Sequence, residues 1–211
     1  MKNLKRGNGI SASQVEDTAK SRMTSQDVIG LYTSLEHLNM SIWIDGGWGV
    51  DALLGEQTRP HKDLDIVIQQ KDVPRLRQLL QAQGYGDVQR DDTSPWNFVL
   101  GDNAGHEVDV HAIVFDGAGN GLYGPVERGV MYPAASLAGA GSINSRIVRC
   151  ISPEQMVKFH TGYKLKDTDF HDVAALCERF GIEYPEEYAH LRPHEADQRR
   201  GAACCAPTPA V

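Results

Sequence analysis

The amino-acid sequence predicts an α/β (α+β) chain, a sheet flanked by helices with a small C-terminal helical part, on three observations. Stretches with period-two alternation, above all Glu107-Val108-Asp109-Val110-His111, read as strands. Other stretches carry apolar residues at helical spacing, and glycines and prolines mark the boundaries between the two kinds. A chain of 211 residues has room for one compact domain with a small helical extension, enough to bury a real core.

Taken in order, positions 1–24 read as a disordered arm without apolar periodicity. Thr24-Ser25-Gln26-Asp27 opens a capping-box helix whose Val28, Leu31, Tyr32, Leu35 and Leu38 recur on one face. Ser41-Ile42-Trp43-Ile44 reads as a short apolar strand ending at Asp45. Gly46-Gly47 makes the turn, and a short helix runs to Gly55. A strand over 63–68 precedes a helix from Val73 to Gln83 that Gly84 ends. Strands near 85–90 and 96–101 lead to the Asp109 strand, closing a core over 25–115. Positions 116–150 form an insertion whose glycine-rich part reads as a long loop or short hairpin. In the helical segment 151–190, Ser152-Pro153-Glu154-Gln155 starts a helix to about Tyr163 and another spans 168–180, stopped by Gly181. Positions 191–211, Ala/Pro-rich at the end, read as a disordered tail.

A net charge of -7 leaves no electrostatic footprint for a nucleic-acid backbone, so nucleic acid is not the expected partner, whereas a small cationic acceptor is compatible. Cys150, Cys177, Cys204 and Cys205 have neither a disulfide-framework spacing nor a metal-binding pattern. With no signal-peptide core and no stretch of membrane-spanning length, the expectation is a cytoplasmic protein with reduced thiols and no membrane association.

The chemistry concentrates in Asp63-Leu64-Asp65. Carboxylates at i and i+2 of a strand share a face, and two like charges about 4 Å apart repel by ~4 kcal/mol near a protein surface. The pair therefore calls for a cation. Asp109 shares a face of its own strand with Glu107 and His111, so a neighbouring strand can bring a third acid to the pair. Hard oxygen ligands suit Mg²⁺, which fills its shell from water and substrate phosphates. Upstream, Gly46-Gly47 permits close backbone approach, and the helix behind it offers unpaired N–H groups to phosphate oxygens. A two-metal phosphoryl-transfer site follows, with Asp63, Asp65 and Asp109 both as metal ligands and as catalytic residues.

The run Trp43-Ile44-Asp45-Gly46-Gly47-Trp48-Gly49-Val50-Asp51, with Arg59-Pro60-His61-Lys62-Asp63-Leu64-Asp65, resembles the antibiotic nucleotidyltransferases of the DNA polymerase beta superfamily, the lincosamide nucleotidyltransferases most of all. Asp109-Val110-His111, Ser152-Pro153-Glu154, His160-Thr161-Gly162-Tyr163 and Asp169-Phe170-His171-Asp172 extend the likeness over about positions 25–190. The aspartate-glycine constellation is shared with aminoglycoside 2''-nucleotidyltransferases; the His160–Tyr163 stretch tilts towards lincosamides.

The resemblance implies a nucleotidyltransferase fold with a mixed sheet and transfer of a nucleoside monophosphate, AMP from ATP, to an antibiotic hydroxyl with two Mg²⁺ ions. It implies nucleotide contacts from Gly46, Gly47, Trp48, His61, His160, Tyr163 and Lys164, and acceptor contact from His111. Trp48 stands where the wider superfamily has serine, so backbone N–H groups must hold the phosphates there. Arg59 either neutralises the triphosphate or pairs with Asp51 to brace the turn. Other readings are an aminoglycoside acceptor, a non-catalytic nucleotide-binding or toxin–antitoxin component, and a metal phosphohydrolase built on His171-Asp172. The last leaves the glycines and Asp63-Leu64-Asp65 without purpose. A homodimer with a shared active site would read the same in the sequence.

Overall fold

Thr24 caps the first helix, α1 (Ser25–His37), through a reciprocal box with Asp27, and Val28, Leu31, Tyr32 and Leu35 form its buried stripe. In this computed structural model residues 22–125, 127 and 129–191 are described. The expected arm up to position 21 and the tail from 192 lie outside them. Met23, inside the expected arm, is buried and bridges His61.

The chain divides after Met156 into two compact units. The first holds a mixed seven-stranded sheet in the order β1 (Ile42–Ile44), β2 (Asp63–Gln69), β5 (Glu107–Phe115), β4 (Asn97–Gly101), β3 (Gly86–Val88), with β6 (Gly121–Tyr123) on β5 and β7 (Val130–Tyr132) on β6. Only β2 and β5 run parallel, with Asp65 opposite Asp109; the other pairs are antiparallel. Between β1 and β2 lies α2 (Gly46–Leu54), stopped by Gly55 in the left-handed conformation. A 3₁₀ turn at Gln70–Asp72 leads into α3 (Val73–Ala82). Leu64, Ile66 and Ile68 of β2 and Val108 and Val110 of β5 fill the core with Trp48, Leu76, Leu80 and Phe98. The alternate positions carry the acids.

Of the long loop or short hairpin expected over positions 116–150, the described residues form hairpins. Val114 and Phe115 extend β5 far enough to pair with β6, and β7 adds to the edge. A 3₁₀ turn at Ala134–Ala138 then leads to a separate hairpin, β8 (Ala140–Ile143) and β9 (Arg146–Arg149). Three-residue strands are too short to show a period, which is why the pattern was silent here.

Helix α4 (Pro153–Phe159) ends four residues short of the expected Tyr163. In the second unit Gly162 takes φ +82 and breaks the helical path, so His160 and Tyr163 stand on a turn rather than on one helical face. The next helix, α5 (Asp167–Phe180), ends at a left-handed Gly181 as expected. Tyr188, from the turn Glu186–Leu191, donates to the His160 carbonyl at 2.5 Å and packs its ring on Phe170. No helix among the described residues is long and apolar enough to cross a membrane.

Candidate active site

Parallel pairing of β2 and β5 sets Asp65 beside Asp109 and Asp63 beside Glu107 on one face of the sheet. Neighbouring strands are about 4.8 Å apart, which brings the cross-strand acids close together. Ligand atoms of Asp65, Asp109 and His111 all lie within 4.8 Å of one another. Asp63 is not part of that convergent set, but its charge acts on both Asp65 and Asp109.

Burial, then the Asp63 charge, pushes the Asp65 carboxyl up to about 7. Burial also raises Asp109 above the usual carboxylate range, the nearby His111 opposing it. His111 lies with Nε2 3.6 Å from Asp109 Oδ1 and Nδ1 3.9 Å from Asp45 Oδ2. Burial disfavours its charged form, yet Asp45, Asp65 and Asp109 together raise it to about 9.

These residues fit a divalent cation. Asp109 Oδ1 and His111 Nδ1 are buried without a hydrogen-bond partner among the described residues. Carboxylates crowded around a protonated imidazole demand positive charge, and a metal would compete with that proton. Asp63, Asp65 and Asp109 supply the hard oxygens that Mg²⁺ or Mn²⁺ prefers.

Gly46 and Gly47 open α2 directly above this acid face. Gly46 has φ +54, and a Cβ there would lie 2.6 Å from Asp65 Cγ. A Cβ on Gly47 would lie 2.6 Å from His61 Cε1 and 2.7 Å from Arg59 Nη2. Both glycines are thus required by side chains that press on the turn. Asp45 closes it from the other side: Oδ1 accepts from the Gly46 N–H at 2.9 Å, and its own N–H donates to the Asp65 carbonyl at 3.0 Å. This N-cap belongs to the candidate site, and the reading of a strand ending at Asp45 passed over it. An acid immediately before a helix was the available signal.

His61 is buried, its Nε2 bonded to Asp51 Oδ2, while Asp51 Oδ1 accepts from the Thr58 N–H and hydroxyl at 3.0 and 2.8 Å. Both Asp51 oxygens therefore brace the turn through Thr58 and His61. Trp48 is 1% exposed and packs on the His61 ring at 4.8 Å, which leaves no indole face open to solvent. Two aromatic residues without any sequence signal join the site from the edge strands. Tyr123 meets the His111 ring edge-on at 5.3 Å, and the Tyr132 hydroxyl donates to Asp45 Oδ2 at 3.2 Å.

In the second unit Thr161 Oγ1 donates to the Lys158 carbonyl at 2.7 Å and the Gly162 N–H to Glu187 at 3.2 Å. Tyr163 and Lys164 are exposed, and burial followed by the Asp169 charge raises the Tyr163 phenol.

The model of the aminoglycoside-2''-adenylyltransferase family matches residues 27–176. A lincosamide resistance protein of Staphylococcus haemolyticus is 29% identical over 154 residues, 73% of this chain and 94% of that protein. A 2''-aminoglycoside nucleotidyltransferase of Escherichia coli is 42% identical over 36 residues, 17% of this chain and 20% of that protein. The lincomycin-bound crystal structure of a lincosamide antibiotic adenylyltransferase superposes with a TM-score of 0.66 at 28% identity, covering 74% of this chain and 98% of that one. The crystal structure of ANT(2")-Ia with adenylyl-2"-tobramycin does so with a TM-score of 0.61 at 22% identity, over 84% and 98% of the two chains, a likeness in fold.

Proposed function

Since the chain belongs to the aminoglycoside-2''-adenylyltransferase family and is a nucleotidyltransferase, we propose that it transfers AMP from ATP to a hydroxyl of a lincosamide antibiotic, releasing pyrophosphate. One observation carries the chemistry: Asp65 and Asp109 stand side by side on β2 and β5 beneath the glycine start of α2. The acceptor class is supported by the relative from Staphylococcus haemolyticus, which is matched over 94% of its length, whereas the aminoglycoside enzyme from Escherichia coli is matched over 20%.

In this reading the N-terminus of α2 meets the triphosphate, its N–H groups and helix dipole facing the phosphate oxygens. Asp63, Asp65 and Asp109 would hold the divalent cations, with His111 beside them. When bound, Mg²⁺ neutralises phosphate charge and acidifies the attacking hydroxyl. Asp109 accepts the hydroxyl proton; the raised affinity that burial gives its carboxylate suits a base. The acceptor oxygen forms a bond to the α-phosphorus as the bond from that phosphorus to pyrophosphate breaks. His111, between Asp45 and Asp109 and edge-on to Tyr123, would contact the acceptor.

Purified protein incubated with Mg²⁺ and each of ATP, GTP, CTP and UTP, against lincomycin, clindamycin and an aminoglycoside panel, tests the proposal by mass spectrometry. Addition of one AMP to a lincosamide is expected. Addition to aminoglycosides alone would move the acceptor class, and no mass gain on any acceptor would overturn the reading.

A further inference from the structure

Tyr132 comes from β7, the outermost strand of the sheet, yet its side chain is 4% exposed and reaches Asp45, 87 positions earlier in the chain. Asp45 is itself 6% exposed, and its two oxygens have different tasks. Oδ1 accepts from the Gly46 N–H at 2.9 Å, while Oδ2 receives the Tyr132 hydroxyl at 3.2 Å and faces His111 Nδ1 at 3.9 Å. A carboxylate can rotate about its last bond. With Oδ1 on the Gly46 N–H, the Tyr132 donor on Oδ2 holds the plane of the carboxylate between the cap and the imidazole.

The His111 ring depends on this arrangement. Its Nδ1 is buried and has no hydrogen-bond partner among the described residues, so no direct bond fixes the plane. What holds the ring is the charge of Asp45 on one edge, Asp109 Oδ1 at 3.6 Å on the other, and the edge-on Tyr123 ring. Tyr132 acts on two of these, because its ring also meets Tyr123 edge-on with centroids 6.3 Å apart. The cross-strand register Gly121 to Tyr132 and Tyr123 to Val130 seats both tyrosines on the short hairpin. The absence of a side chain at Gly121 leaves room there for the Ile113 side chain.

We propose that Tyr132 is a positioning residue of the transfer site: its hydroxyl fixes the Asp45 carboxylate, and through it both the glycine start of α2 and the His111 ring. The inference rests on the transferase reading of the same site. It gives the edge hairpin β6–β7 a task in the reaction although it contributes none of the acids. Partners that orient site residues in this way affect rate by about ten- to a hundred-fold when removed.

The test compares the parent with Tyr132→Phe, which keeps the ring and removes the donor, and with Asp45→Asn, which keeps a capping oxygen and replaces the other with an amide. Met131→Ala, half exposed on the same strand, serves as the control. Two readouts are taken: kcat and KM for nucleotide and acceptor, and the side-chain nitrogen resonances of His111, assigned by their loss in His111→Gln. Tyr132→Phe is expected to lower kcat by about ten-fold or more with both KM values within about two-fold, and to shift the His111 resonances. Asp45→Asn should shift them too, and Met131→Ala should match the parent. A folded Tyr132→Phe with parental kcat and unmoved His111 resonances would overturn the inference. If the parent transfers nothing to any acceptor, the transferase reading fails, and the resonance comparison still decides whether Tyr132 sets the His111 ring.

Discussion

Gly46→Ala is the substitution on which the geometry makes its sharpest demand. Gly46 has φ +54, in the left-handed region, where a Cβ costs roughly 1–2 kcal/mol. The added methyl would also lie 2.6 Å from Asp65 Cγ, well inside van der Waals contact. Asp65 pairs with Asp109 across β2 and β5 and its carbonyl accepts from the Asp45 N–H, so the backbone is held and only the carboxylate can give way, by turning from its present place. Overpacking of this kind costs about 1–3 kcal/mol. Together the two effects amount to about 2–5 kcal/mol, or a fall in Tm of about 4–20 °C for a chain of this size.

Because the group in the way is a proposed metal ligand, the relief of strain and the loss of activity are the same movement. Thermal melts and steady-state transfer rates on one preparation are expected to show a lowered Tm and a rate at least about a hundred-fold down. Gly30→Ala is the internal comparison: Gly30 is exposed in the middle of α1, and an added Cβ there meets nothing within 4 Å. It should stabilise by about 0.5–1 kcal/mol and leave the rate unchanged. If Gly46→Ala melts within about 2 °C of the parent and keeps its rate, the turn is not as tight as this reasoning requires.

Asp65→Asn and Asp109→Asn should each lower transfer by at least about a hundred-fold while raising the metal-free Tm, since each removes a charge from a crowded acid face; a metal-free Tm below the parent's would contradict this. Added Mg²⁺ should raise the parental Tm, by up to about 2.7 kcal/mol of stability at a hundred-fold excess over Kd, and should do so far less in either variant. At the start of α1, burial tends to raise the Asp27 carboxyl, but hydrogen bonds from the Thr24 hydroxyl and N–H outweigh it and hold the carboxyl below its ordinary value. A depressed carboxylate stabilises the fold above its unfolded pKa of about 3.9 and loses that contribution as pH falls through the folded value. Asp27→Ala should therefore cost about 1 kcal/mol in urea melts at pH 7, with the gap to the parent narrowing as pH falls below about 4; a gap that does not narrow with falling pH would refute the assignment.

What was legible in the sequence is what local rules govern. The Thr24 box, the left-handed stops at Gly55 and Gly181, and the alternation that puts Asp63, Asp65 and Asp109 on polar faces each depend on a few neighbouring residues. Gly162 obeys the same rule, but the helix expected from the Ser152-Pro153-Glu154-Gln155 start was carried past it to Tyr163. Tyr132 was illegible for another reason: nothing in Val130-Met131-Tyr132 announces a partner 87 residues away, because tertiary pairing and not local propensity makes that strand.

The aspartate pair itself shows how far a periodicity argument reaches. Alternation puts Asp63 and Asp65 on one face, but residues two apart on a strand are about 6.6 Å apart, while residues across a ladder are about 4.8 Å apart. The contact between Asp65 and Asp109 falls across strands and depends on β2 and β5 running parallel in this one register. His111 enters the same set from two residues beyond Asp109 because an imidazole is long enough to span that step, as its 3.6 Å approach to Asp109 Oδ1 shows. A slip of one residue would turn every one of these side chains to the other face of the sheet. The apolar residues Leu64, Ile66, Val108 and Val110, buried on the opposite face, forbid that slip, so the core sets the spacing of the acids.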